Sequence, residues 1–79
     1  MKTYIFNVHL FYGMSVEAVK AISFSVAKQM VVAKHSLDPW DAIEDDDLSL
    51  VGTCDNFLHV FTGEELQEGE VICLGSYQE

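Results

Sequence analysis

Three carboxylates in a row, Asp45, Asp46 and Asp47, form the most chemically loaded run in the chain. Closely spaced acids suit calcium. An EF-hand loop, however, needs alternating acids, a glycine at its sixth position and a glutamate at its twelfth. Counted from Asp45, those positions hold Leu50 and Asn56, and adjacent acids diverge on any regular backbone. The run reads as a solvated acidic turn. His9 and His59 share a predicted sheet surface, and with Cys54 or Cys73 they would make a zinc set if they converged. Their spacing matches no zinc signature, and amphipathic surface histidines account for them. A serine or cysteine nucleophile needs an aligned base and oxyanion donors in one pocket. A chain of 79 residues leaves little room for all three. The reading is therefore no catalytic residue, no metal and no cofactor.

What remains is charge. The formal net charge is −9, and the chain has no arginine. Residues 1–37 hold all four lysines and one acid, Glu17, a balance of +3; residues 38–79 hold the other twelve acids and no base, a balance of −12. Nucleic acid and anionic membrane would repel such a chain. A basic protein surface is its natural electrostatic partner. The expected partner-facing residues are Asp41, Glu44, Asp45, Asp46 and Asp47, with Glu64, Glu65 and Glu68 as a second patch. Solubility alone also favours a high net charge, but it explains the segregation less well.

The length suits one domain, residues 1–79, and not two. A domain this small buries only about 60% of its unfolded surface, so the core must be dense, and a hydrophobic content of 49% can supply it. No apolar run is long enough to cross a bilayer, and no signal-peptide pattern opens the chain. Two cysteines are too few for a disulfide scaffold. A reduced, cytoplasmic location is expected.

The elements that would carry these residues follow from periodicity. Tyr4, Phe6, Val8, Leu10 and Tyr12 alternate with Ile5, Asn7, His9 and Phe11, which predicts a strand over 3–12. Gly13 breaks it. Ser15 then suits a helix N-cap, with Glu17 in the first turn. Val16, Val19, Ile22, Val26, Met30 and Ala33 make a stripe that predicts a helix packed on the sheet and ending near Ser36. Phe24 and Val31 fall off that stripe, under a loop or in a partner or homodimer contact. Asp38-Pro39-Trp40-Asp41 resembles a second helix start, a short helix over 39–45 that buries Trp40 and Ile43. Residues 48–54 and 57–62 read as a hairpin turned by Asp55-Asn56, with Cys54 opposite Phe57. One helical turn over 63–68, stopped by Gly69, and a last strand over 71–77 complete the chain. The expected fold is α+β: one main helix on a small, mostly antiparallel sheet, in the order β-α-(short α)-β-β-β.

In size, opening strand, single long helix, acidic Asp38–Asp47 segment and following hairpin, the chain resembles the small phage-encoded inhibitors of bacterial defence of the anti-CRISPR type. The likeness spans the whole chain as architecture and composition and rests on no sequence motif. It implies an inhibitor that binds a CRISPR effector subunit and blocks its DNA-binding surface with a DNA-mimicking acidic face, in the cytoplasm of a bacterial host. The alternative is an acidic antitoxin or adaptor that binds one basic protein or self-associates through a sheet edge.

Overall fold

The computed structural model describes residues 2–11, 13–37, 42–55, 57–58 and 62–78, with the side chains of Tyr77 and Gln78 excepted. The elements are β1 (Lys2–Leu10), β2 (Gly13–Ala21), α1 (Phe24–His35), a 3₁₀ turn η1 (Asp45–Asp47), β3 (Leu48–Cys54) and β4 (Val71–Gln78). The four strands form one antiparallel sheet in the spatial order β3-β1-β2-β4, with α1 on one face. The α+β class and the helix-on-sheet layering are as expected. The chain order is not: it runs β-β-α-η-β-β, because residues 13–21 are a strand and not the first half of the helix.

The hairpin explains that correction. β1 and β2 pair along their whole length, from Lys2 opposite Ala21 to Leu10 opposite Gly13. Helical packing of 13–21 would forfeit those cross-strand contacts, and tertiary pairing overrides a weak local preference. The pairs Tyr4–Val19, Phe6–Glu17 and Val8–Ser15 share the helix-facing side. The helix therefore starts at Phe24, and Ser23, not Ser15, is its cap. Ser23 is extended (φ −152°) and its hydroxyl accepts from the Val26 amide at 3.2 Å, which satisfies one orphan donor of the first turn. The far end falls at Ser36 as predicted, with Lys34 and His35 in the last turn, where cations suit the helix dipole.

Starting the helix eight residues later changes which side faces in. The core joins Phe6, Val8, Val19, Ala21, Ala27, Val31 and Ile43, with Val26 and Met30 only partly buried against it. Ile22, expected at the centre of the buried stripe, is 72% exposed. Val31, expected off the stripe, is fully buried and so is no dimer contact. Phe24 stays partly exposed, with its ring 6.0 Å from Tyr4 and 5.8 Å from Phe6.

β3 and β4 are the two edges, so the chain between them must cross the sheet, a span of roughly 14 Å at ~4.8 Å per strand. It crosses on the face away from α1. Leu66 donates to the Phe57 carbonyl at 2.9 Å, Glu65 meets Lys20, and the Gly69 amide reaches the Lys20 carbonyl at 3.1 Å. Leu66 and Ala18 are buried. This crossing replaces two expectations. Residues 63–68 form no helical turn: Glu65 bridges Leu58, and Gly69 turns the chain into β4 at φ +87°, where a side chain would be strained. Cys54 pairs with Thr3 on β1 and not with Phe57. Of the expected strand 57–62, Leu58 makes only that isolated bridge, while Asn56, His59, Val60 and Phe61 lie outside the described residues. So do Pro39, Trp40 and Asp41 of the expected short helix; of its described residues, 42–44 are not helical and Asp45 opens the 3₁₀ turn, while Ile43 is buried as expected. The last strand stands where predicted.

Candidate functional site

Two polar groupings stand out, one buried and one exposed. The buried one centres on Glu17. Alternation along β2 turns Ser15 and Glu17 toward the helix, and the last turn of α1 sets Lys34 and His35 above them. Lys34 Nζ donates to Glu17 Oε1 at 3.0 Å; His35 Nε2 lies 2.7 Å from Oε2, and the Ser15 hydroxyl donates to the same oxygen at 2.9 Å. A carboxylate only accepts, so His35 carries its proton on Nε2. The Glu17 side chain is 1% exposed. Burial alone would push its pKa up. Hydrogen bonds from Lys34 and His35, the Lys34 charge and the Ser15 hydroxyl more than reverse this, and the carboxyl is held below its ordinary value of 4.5.

The chemistry of this group is that of a clamp. A general base must reach the proton it abstracts. Both oxygens of Glu17 are already engaged by side chains of its own fold, and solvent hardly touches them. Cys73, opposite Glu17 on β4, lies 3.4 Å from the Ser15 hydroxyl and donates to the Gly75 carbonyl at 3.4 Å. Neither neighbour is a base suited to a thiol proton. Sequence reading missed this cluster and placed Ser15 and Glu17 at a helix start. The available signal was that Glu17 is the lone acid among the first 37 residues, beside four lysines.

Of the residues weighed as zinc ligands, His59 lies outside the described residues, and the others stand apart. His9 is exposed near one end of β1, Cys54 pairs with Thr3 at the other, and Cys73 is on the opposite edge. No group of three His, Cys, Asp or Glu among the described residues could hold a metal ion. No helix among them is long and apolar enough to cross a membrane.

The exposed grouping is acidic. Glu44, Asp45 and Asp46 are exposed and Asp47 is half-buried, on the turn that leads into β3. Asp47 Oδ2 accepts from the Glu44 amide at 2.9 Å, which fixes the backbone of the turn. Asp45 lies 3.9 Å from Lys28 on α1. Glu64, Glu65 and Glu68 are exposed on the crossing segment, against the opposite face, where Glu65 pairs with Lys20 at 2.9 Å. Asp41 lies outside the described residues. The structure thus separates the two expected patches. It also mixes the charges that the sequence keeps apart: Lys20 and Lys28 meet acids from the C-terminal half, and Lys34 meets Glu17.

Comparison with family models, with curated proteins and with solved structures finds no match to this chain.

Proposed function

We propose that this chain is an inhibitory protein-binding domain that offers an acidic surface to a basic, nucleic-acid-binding protein, in the manner of a DNA-mimicking anti-CRISPR inhibitor. The observation that carries the reading is the Glu44–Asp47 turn. Glu44, Asp45 and Asp46 are exposed, on a backbone already fixed by the bond from the Glu44 amide to the half-buried Asp47. A 3₁₀ turn rises about 2 Å per residue, so its charge per unit length is of the order of duplex DNA, about one per 1.7 Å. Its side chains fan out by about 120° each, so the turn supplies charge density, not a ladder on one face. Preorganised charge costs little ordering on binding and steers encounter with a Lys/Arg-lined channel.

The test is a pull-down from bacterial host lysate at low and at physiological salt, with and without competing duplex DNA. The wild-type chain should capture a basic nucleic-acid-binding protein that DNA displaces. Joint reversal of Asp45, Asp46 and Asp47 to lysine should abolish capture. Asp46→Lys alone should weaken it, and is the cleaner variant, because Asp45 pairs with Lys28 and Asp47 holds the turn. Capture that ignores salt, DNA and both variants would overturn the reading.

A further inference from the structure

The helix does not cover the whole sheet. It lies mainly over β2 and β4, and the flank over β3 is left with apolar side chains in solvent. Leu50 is 48% exposed, Val51 58% and Phe24 41%. Buried Phe6 relates Phe24 to Leu50. Leu50 pairs with Phe6 across the strands, and Phe6 lies under the Phe24 ring. Val51 is the extra residue of a bulge, between the pairs Phe6–Leu50 and Ile5–Gly52, and extends the patch beside Leu50. Lys28 continues the surface: its ammonium sits 4.9 Å from the centre of the Phe24 ring and 3.9 Å from Asp45. The apolar patch therefore runs directly into the acidic turn.

We infer that this flank is a docking surface for a basic amphipathic helical segment of the partner protein. Its apolar side would rest on Phe24, Leu50 and Val51, and its lysines or arginines would face Glu44, Asp45 and Asp46. The inference rests on the acidic-surface reading above and adds where the apolar anchor falls. Charge complementarity chooses the occupant. A second copy would bring the same acids and a net charge of −9 against a surface whose nearby cation, Lys28, is already held by Asp45. The bulge at Val51 makes β3 a poor template for an added strand, so a helix laid across the face fits better than an extended segment along the edge. Apolar anchors at the centre with charge at the rim is the ordinary anatomy of a specific interface.

The probe is a synthetic amphipathic helical peptide of leucine and lysine, titrated into the isotope-labelled full chain and followed by backbone amide shifts. The controls are a scrambled peptide of the same composition and a peptide with glutamate for lysine. Shifts should centre on Phe24, Lys28, Leu50 and Val51, the scrambled peptide should bind more weakly, and the glutamate peptide should not bind. The exposed-site double variant Leu50→Ser, Val51→Ser should keep the thermal midpoint within a few degrees and weaken binding by about tenfold or more. Shifts confined to residues 44–47 and 64–70, equal for the scrambled peptide and unchanged in the double variant, would overturn this docking site while leaving the acidic-surface reading intact. Shifts centred on the groove of Met30, Leu37, Gly69 and Val71 would overturn it in favour of that groove. Peptide-independent self-association that the double variant abolishes would make a second copy the occupant and overturn it too. No binding at low salt would count against both readings.

Discussion

His35 Nε2 lies 2.7 Å from Glu17 Oε2, although 18 residues separate the two in the chain. The contact joins the last turn of the helix to a central strand, and Lys34 doubles it. It is the polar counterpart of the apolar core beside it. Breaking a buried ion pair leaves an uncompensated charge, at a typical cost of ~3–5 kcal/mol. The Lys34 side chain is 39% exposed, so water softens that loss. Glu17→Gln should therefore destabilise the domain by about 2 kcal/mol, and thermal unfolding should shift down by about 10 °C. A variant that melts with the wild type would show that the clamp contributes nothing.

The same residue sets a pH dependence. The folded Glu17 carboxyl titrates below its ordinary value of 4.5. As pH falls through that value, the unfolded chain takes up a proton that the folded chain still refuses. Stability contributed by Glu17 is thus complete above the unfolded pKa and is lost as pH drops through the folded one. Denaturant unfolding as a function of pH should show wild type and Glu17→Gln converging toward acid, parting as pH rises to about 5 and holding a constant gap above it. Parallel curves would refute the linkage.

The helix phase is tested by two aspartates. Ile22→Asp places a charge on a side chain that is 72% exposed, and the change should stay within about 0.5 kcal/mol. Val31→Asp places the charge in the core and should prevent folding. Circular dichroism of the two proteins decides. An unfolded Ile22→Asp beside a folded Val31→Asp would restore the helix phase that the apolar stripe alone predicts.

Capping separates Ser23 from Ser15. Ser23→Ala removes the acceptor of the Val26 amide, at a cost of about 1 kcal/mol, and should speed hydrogen exchange at Val26. Ser15→Ala removes one of the donors to Glu17 and should leave exchange at Val26 slower than in Ser23→Ala. The opposite order would place the cap at Ser15.

Much of this architecture is legible in the chain itself. Alternating apolar residues over Tyr4–Leu10 fix the first strand and its buried side. Ser36 closes the helix where Pro39 was expected to force an end. The last strand and the burial of Ile43 follow from local pattern too. Such features are local, and neighbouring residues suffice to determine them. Of the run Asp45–Asp47, the first two acids are exposed, as the run implies, while Asp47 is half-buried.

The second strand, the helix phase and the meeting of charges were decided only by the tertiary structure. Residues 13–21 suit a period of 3.6 as well as a period of two. Their period-two signature is masked because two inward positions, Ser15 and Glu17, are polar. These positions are buried nonetheless, because Lys34 and His35 arrive from a helix many residues away to satisfy them. A buried acid looks like an exposed one until its partners are placed, since the cost of desolvation is offset only by contacts distant in sequence. For the same reason, a chain whose lysines and acids lie in separate halves folds into a surface where they meet. Pairing across a sheet and across its faces depends on distance in space, and the order of residues along the chain does not set that distance.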